Sequence, residues 1–537
     1  FFLTTRKGFC GAAVCGPTIE GQRILGIHSA GNGTLGFATR LTKTMVDSIS
    51  AALRTEIEPE GTMEWEPDGE HVYTPTRTQI VRSPMYPKFR PGYGPAPLSR
   101  FDKRINPDVC FEEALFAKHV GDLQVLPDEF RIAARMYADQ LFQKVGTNNG
   151  LVSIHEALNG DGITDAIDMT RSVGYPYCKQ QVRRDYFVLK DDMGLLVPTD
   201  FLQAEMQREL QGENEVKFVT FVKDEIRAND KIKMGKSRVV DAGPFPFVVL
   251  GRMAFMRFSS AMMVNRGVGV GSAVGTNPDV DWTAFRFQLM DRYHYDIDYS
   301  GFDATHTTAM FEILKEEIFN TRNGFDPLTH WVIDKCAVSK HIYGTRRFTL
   351  HGGLPSGCPA TSILNTVMNN IIMRAALLGV YGTQIDWSSF KMIAYGDDVV
   401  VSTYQELDFE AVKEWLGKHT LYKITPACKV GGFRPQRIDE VVFLKRKFTP
   451  DHEFPYLIKP EMSFENLSTI LSFMRPGTFQ QKLQSVAQLA VHLGRGPYDE
   501  LFSYLRQVYP GVYSVPSYDE MRMNWLENSP WSRACRG

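Results

Sequence analysis

The first fifty residues alternate short apolar runs with glycine. Residues 9–17, 24–28 and 35–38 carry strand-type patterning, and glycines recur at positions 8, 11, 16, 21, 26, 31, 33 and 36. That rhythm predicts an antiparallel β segment. Leu41, Met45, Ile49 and Leu53 follow at four-residue spacing, which predicts a short helix over 41–54. The acidic stretch 56–61, with Pro59 and Gly61, reads as a linker. Residues 61–110 are rich in proline and poor in period; such a segment cannot bury a core alone and is expected to lie across other elements. From about 111 onward helical and strand patterns alternate, and residues 460–537 read as helical. The predicted body is therefore α/β (α+β), with no internal repeat and no low-complexity tract.

Four segments interrupt this pattern with chemistry. Two β-prone runs flank Gly396-Asp397-Asp398, which predicts a hairpin carrying two carboxylates at its turn. About a hundred residues earlier a short strand, Tyr295-Asp296-Ile297-Asp298, delivers Asp298, and a helix through Met310, Phe311, Leu314 and Ile318 follows. Taken alone, an Asp-Asp at a turn reads as a solvated tight turn. Two carboxylates brought together from adjacent strands are what two divalent ions need, roughly 3.5–4 Å apart, to grip the attacking and leaving oxygens of phosphoryl transfer. Mg²⁺ takes one or two carboxylates and completes its shell with phosphate oxygens and water.

The third segment is a glycine-rich loop, Gly352 to Gly357, running into a helix with Pro359 expected near its first turn. Thr361, Asn365 and Asn369 fall on one face of that otherwise apolar helix. A buried polar stripe must be satisfied, either by a bound ribose or template backbone or by neighbouring protein. The fourth segment places six cations between Lys223 and Arg238, among them Arg227, Lys231 and Arg238. By itself it reads as a solvated charged hairpin; upstream of a metal constellation it suits a triphosphate, with Arg as a forked donor and Lys as a point charge.

Composition narrows the picture. The 537 residues exceed one hydrophobic core, so two to four domains or subdomains are expected. A net charge of −2 argues against non-specific coating of nucleic acid and leaves room for a local basic channel. The eight cysteines show no CxxC pair and no zinc spacing, which fits a reducing, cytosolic setting with most of them buried as small hydrophobes, Cys10 excepted. No stretch approaches the roughly 18 uninterrupted apolar residues of a membrane span, and no signal peptide is evident. The opening Phe1-Phe2-Leu3 is expected to be an interior point of a longer chain.

With these residues in view, 61–537 resembles the RNA-dependent RNA polymerase of picornaviruses in motif order across almost the whole segment. Lys223 to Arg238 resembles its nucleotide-channel motif, Asp298 to Asp303 the first palm motif, Gly352 to Asn370 the second and Tyr395-Gly396-Asp397-Asp398 the third. Thr425 to Lys429 resembles the fourth, with Cys428 where many relatives carry an acid. Phe443 to Arg446 resembles the primer grip, and Thr170 to Tyr177 the template guide. The resemblance implies a right-hand fold, with fingers at 61–254, palm at 255–450 (a fingers insertion near 336–353) and thumb at 451–537.

It also implies roles. Asp298, Asp397 and Asp398 would serve the metals, Mg²⁺ with Mn²⁺ as the alternative. Asp303 and Asn365 would read the ribose 2′-hydroxyl, with Ser356 and Thr361 completing that network. Arg227, Lys231 and Arg238 would hold the triphosphate, and Lys429 would be the general acid for pyrophosphate. Ser172 and Gly174 would guide template, and Lys445 and Arg446 would hold primer. The implied partners are RNA template and product, nucleoside triphosphates, a small viral protein primer and other viral replication proteins. The implied location is the host cytoplasm at virus-induced replication membranes.

Residues 1–60 resemble the end of the picornaviral chymotrypsin-like cysteine protease, an all-β barrel. Cys10 matches its nucleophile, the amides from Gly8 to Cys10 its oxyanion hole, and His28 the histidine of its substrate pocket. The family's base and acid lie well upstream of that cysteine, so no proteolysis is expected here. Glu60-Gly61 would be the junction, and freeing Gly61 is expected to activate the polymerase. Two other readings stay open. A reverse transcriptase would crowd the 2′-hydroxyl where Asp303 and Asn365 are polar; a non-catalytic RNA-binding precursor would bind RNA without extending it.

Overall fold

The computed structural model describes residues 12–18, 21–32, 35–46, 63–119, 121–180, 182–290, 292–428 and 431–530. The chain divides into two compact units, Phe1–Glu58 and Pro59–Gly537. In the first, strands Ala13–Thr18, Gly21–Gly31 and Gly36–Arg40 form an antiparallel three-stranded sheet in chain order. They run longer than, or shifted from, the predicted spans, because pairing extends past the glycines that break the sequence pattern. Of the predicted helix 41–54, residues 41–46 are described, and 43–46 are helical. Cys10, Gly8, Glu60 and Gly61 lie outside the described residues.

The second unit is organised around a four-stranded antiparallel sheet. Its order is Lys391–Tyr395, Asp398–Thr403, Tyr293–Tyr299, Ile424–Pro426. The face away from solvent packs on the long helices Asp128–Val145 and Thr361–Tyr381. The latter buries fifteen consecutive residues from Ile363 to Leu377. This helix and Phe245–Val264 are long and apolar enough by composition to cross a bilayer, but most of each lies inside the unit. The helix after Asp298 is α-helical over Thr308–Ile313 and continues as a π-turn over Leu314–Ile318.

A second sheet has five strands, in the order Val239–Ala242, Lys217–Val222, Val338–Tyr343, Arg346–His351, Met63–Glu66. Residues 338–351 therefore leave the first sheet's neighbourhood and join strands from much earlier in the chain. The proline-rich segment does lie across other elements. Met63–Glu66 edges this sheet, whereas Val81–Arg82 pairs with Phe473–Met474 and Met85 sits in the core of the C-terminal helices. Those helices are Phe464–Leu471, Phe479–Ala490, Arg495–Val508 and Tyr518–Asn528. The strand Ile458–Met462 shifts the start of the helical portion a few residues beyond 460.

The cysteines correct one expectation. Among the six described, Cys336 and Cys358 are buried and Cys178 half-buried, but Cys15, Cys110 and Cys428 are exposed.

Candidate active site

The carboxylates are placed by sheet register. Tyr395 pairs with Asp398 across the hairpin, so Asp397 stands in the turn and Asp398 opens the returning strand. On the neighbouring strand Ile297 pairs with Val399, which brings Asp298 level with the same end of the hairpin. On its other side Asp298 pairs with Thr425.

The turn itself is held from below. Gly396 adopts φ +62°, a left-handed conformation suited to glycine. Its N–H donates to Thr366 Oγ1 at 2.9 Å, and its carbonyl accepts from Asn369 Nδ2 at 2.8 Å. Tyr299 Oη in turn donates to Asn369 Oδ1 at 3.1 Å. Both bonds come from the helix Thr361–Tyr381, so the turn's backbone is fixed to the most buried helix of the unit. This corrects the reading of the polar stripe. Asn369 satisfies the turn, Thr361 Oγ1 donates to the Cys358 carbonyl at 2.6 Å, and Asn365 donates to Asp303; all three are satisfied by protein. Pro359 stands just outside the helix, whose N-cap is Ala360.

Asp303 lies on the 3₁₀ turn Phe302–Thr305, half-buried, and accepts from Asn365 Nδ2 at 2.6 Å. Ser356 is exposed on the loop before the long helix. Its hydroxyl accepts from the Asp241 N–H at 2.8 Å, and its own N–H donates to Asp241 Oδ2 at 3.3 Å. Gly357 leaves no room beside this strand, since a Cβ there would stand 2.1 Å from the Asp241 carbonyl.

Burial together with the nearby carboxylates of Asp303 and Asp298 raises Asp397 above its ordinary value, against a pull from Arg238. Asp397 is thus a carboxylate that a further positive charge would stabilise. Among the described residues no three His, Cys, Asp or Glu converge as ligands. Two neighbouring carboxylates, one of them raised, match a divalent cation that draws its remaining ligands from phosphate and water, not a closed protein cage. Asp298 and Asp397 would hold it, with Asp398 alongside.

Beside Asp298 opens a cavity of about 810 Å³ whose walls include Arg227, Lys231, Lys236, Arg238, Lys413 and Lys423. Its two arginines are already engaged. Arg238 forks onto Glu225, with Nε 2.7 Å from Oε1 and Nη2 on Oε2. Arg227 donates through Nε and Nη2 to the Lys236 carbonyl at 3.2 and 3.0 Å. The predicted charged hairpin is an excursion between the paired strands Lys217–Val222 and Val239–Ala242, containing the strand Ile226–Ala228 and the helix Asn229–Lys233.

The flanking motifs stand apart from the carboxylates. Gly174, at φ +72°, lies so close to Gly243 that a Cβ would approach its carbonyl to 2.4 Å. Ser172 Oγ accepts from the Gly174 N–H at 3.1 Å. Leu444 and Lys445 form a two-residue hairpin turn with φ +50° and +60°, conformations that cost a non-glycine residue free energy. Arg446 Nη1 donates to the Leu444 carbonyl at 2.8 Å, while its buried Nε lacks a partner. Lys429 lies outside the described residues.

Several residues here escaped the sequence reading. Asp296 fastens the carboxylate strand to the 442–450 hairpin by accepting from Gln436 Nε2 at 2.7 Å and the Val442 N–H at 2.9 Å. Asp241 is pinned by Thr220 Oγ1 at 2.7 Å and His341 Nδ1 at 3.3 Å. Burial raises its carboxyl, but His341, Lys118 and Thr220 together outweigh this and hold it well below the usual carboxylate range. Thr366 could have been found from the sequence, being one residue beyond Asn365 on a helix otherwise apolar.

Residues 83–509 match the family model described as viral RNA-dependent RNA polymerase. The chain is 41% identical over 525 residues, 97% of its length, to the genome polyprotein of Encephalomyocarditis virus. To that of Theiler's murine encephalomyelitis virus (strain GDVII) it is 39% identical over 524 residues. It spans 22% of each of these polyproteins. Among solved structures, the Sicinivirus 3Dpol RNA dependent RNA polymerase is similar with a TM-score of 0.79 and 30% identity, over 87% of this chain and 99% of that one.

Proposed function

Because this chain belongs to the viral RNA-dependent RNA polymerase family, we propose that its four-stranded sheet joins ribonucleotides on an RNA template in replication of a picornavirus genome. One observation carries the assignment of residues: Asp298 and Asp397 meet at the end of two neighbouring strands, beside a cavity walled by lysines and arginines. Members of the family use divalent metal ions. We assign Mg²⁺ to this site, with Mn²⁺ able to substitute; when bound, such ions neutralise charge on the attacking and leaving oxygens.

The protein's own part is placement. Arg227, Lys231 and Arg238 receive the triphosphate as it displaces their present partners. Asp303 and Asn365 offer polar groups where a ribose 2′-hydroxyl would lie, which disfavours a reverse transcriptase. Ser356 and Thr361 position the loop and helix start beside them. Lys429 protonates pyrophosphate. Ser172 and Gly174 guide template, and Lys445 and Arg446 hold the primer strand. Beyond RNA and nucleotides, the reading includes a small viral protein primer, other viral replication proteins and cytoplasmic replication membranes.

We assign residues 1–60 to the end of a cysteine protease, with Cys10 its nucleophile. His28, buried with Nδ1 3.0 Å from the Phe37 carbonyl, supports an ordered β environment for the pocket histidine. Glu60-Gly61 is the junction, and a chain beginning at Gly61 is the more active form.

The test is primer extension on RNA with ribonucleotides and Mg²⁺, using the whole chain, a chain beginning at Gly61, and Asp397→Ala in each. Extension that requires Asp397, and that rises when Gly61 is freed, is expected. RNA binding without extension in any form would replace this reading with the scaffold.

A further inference from the structure

Behind the Asp303–Asn365 contact runs a line of buried polar groups that continues away from the nucleotide cavity. Asn365 Nδ2 donates to Asp303 Oδ1 at 2.6 Å, so Asn365 Oδ1 must accept from behind. The group behind it is His306, whose Nε2 lies 2.8 Å away. An oxygen acceptor at that nitrogen requires the ring to carry its proton on Nε2. The other nitrogen, Nδ1, lies 3.0 Å from Tyr422 Oη and in the neutral ring accepts the phenolic proton. The line therefore has one direction: Tyr422 donates to His306, His306 to Asn365, and Asn365 to Asp303.

Packing seals this line from solvent. His306 is 1% exposed, Tyr422 0% and Asn365 6%. The Phe302 ring covers the imidazole edge-on at 4.5 Å and lies 6.0 Å from Tyr422. Burial lowers His306 to about 4, so the ring is neutral at physiological pH. An amide placed between a donor and an acceptor cannot flip without setting like groups against each other at both ends. Asn365 is thereby locked with its NH₂ toward Asp303, and the carboxylate is held by its Oδ1.

We propose that His306, backed by Tyr422, is a positioning residue for ribose selection, fixing the Asn365 amide so that Asp303 stands ready for a 2′-hydroxyl. This rests on the polymerase reading and adds to it two residues that touch neither substrate nor metal. Loss of the imidazole leaves Asn365 Oδ1 without a donor in a dry site, an unmade bond that frees the amide to turn.

The experiment compares the whole chain with its His306→Ala, His306→Gln and Tyr422→Phe variants. Two readouts are taken on a primer–template with Mg²⁺: the ratio of kcat/KM for ATP over 2′-deoxy-ATP, and, with a 3′-deoxy-terminated primer, the ratio of their Kd values. The second requires no chemistry, so the inference and the polymerase reading can fail separately. His306→Ala is expected to lower the preference for the ribonucleotide about tenfold, since one unmade buried bond corresponds to roughly that factor. Tyr422→Phe should lower it less. His306→Gln, whose Nε2 can still donate, should restore most of it. Equal losses for ATP and 2′-deoxy-ATP in His306→Ala, or in Tyr422→Phe should the alanine variant not fold, would overturn the proposal. So would a glutamine variant as indiscriminate as the alanine one.

Discussion

Two clusters of acids lie in the second unit, and they are built on opposite principles. Just past the strand Arg446–Pro450, Asp451 is 2% exposed, and both its oxygens accept from Arg522 of the helix Tyr518–Asn528 at 2.8 Å. Glu453 takes a further bond from the same guanidinium at 2.8 Å, and two backbone amides complete Asp451. Burial would raise Asp451, but Arg522 and those amides hold it below the ordinary value. At the sheet, Asp397 stands near the carboxylates of Asp303 and Asp298, and the pull of Arg238, itself tied to Glu225, does not offset them and burial. Burial and like charge there leave Asp397 raised. Asp451 is held by its own counter-charge, whereas Asp397 keeps a repulsion that a cation from solution would relieve.

The largest test of this contrast is Asp397→Ala, which should reduce primer extension on the order of 10³-fold or more, since several kcal/mol of charge stabilisation is removed at about 1.4 kcal/mol per decade. Its companion Asp397→Asn should be equally silent yet melt higher than the parent, because it deletes a repulsion. A less stable Asn variant would break the comparison. Next comes Arg522→Ala, expected to cost roughly 3–5 kcal/mol in urea unfolding because it strands a buried carboxylate. Replacing both partners, Arg522→Met with Asp451→Leu, should recover most of that loss. A single substitution costing under about 1 kcal/mol would place the pair among surface bridges.

The two clusters also respond oppositely to pH. Asp451, depressed in the folded state, contributes stability that is complete above the unfolded carboxylate value of about 3.9 and disappears as pH falls through its lower folded value. Asp397, raised in the folded state, penalises folding at neutral pH; the penalty is relieved as pH falls through its folded value and is gone near about 3.9. Melting curves of Asp397→Asn against the parent should therefore converge between neutral pH and pH ~4, whereas the deficit of Arg522→Ala should persist over that range. Parallel curves for Asp397→Asn would mean the acid is compensated after all.

What was legible in the sequence follows the same division. Asp298, Asp397 and Asp398 could be placed on strands and a turn because alternation fixes which residues reach the end of a sheet. The proline-rich segment was readable as a strap, since it lacks any period for a core of its own. The partners were not readable. Thr366 and Asn369 reach Gly396 from one helix while Tyr299 braces Asn369 from a strand, and Asp241, Thr220 and His341 meet across three strands of another sheet. A period assigns such residues to a face but not to a partner. The polar stripe of the long helix showed this most clearly: three residues at equal spacing turned out to serve a turn, a loop and the Asp303 carboxylate.

Metal binding gives a smaller effect with the same logic. At ten times its Kd, Mg²⁺ should stabilise the parent by about 1.4 kcal/mol through mass action, and Asp397→Ala should lose that gain. A melting temperature that rises equally in both would place the bound ion elsewhere. The smallest effect concerns strain in place of charge. Leu444 and Lys445 hold left-handed conformations at the turn between Val442–Phe443 and Arg446–Pro450. Gly at either position should relieve part of this, raising stability by up to about 1 kcal/mol after glycine's own entropy is counted. If the turn is strained in order to present its side chains to a primer strand, Lys445→Gly should at the same time weaken primer binding, measured as a higher Kd for primed over unprimed RNA. Higher stability with unchanged primer affinity would assign the strain to the hairpin alone. Unchanged stability would mean that the Asp296 anchor on Val442, and not the turn residues, dictates this backbone.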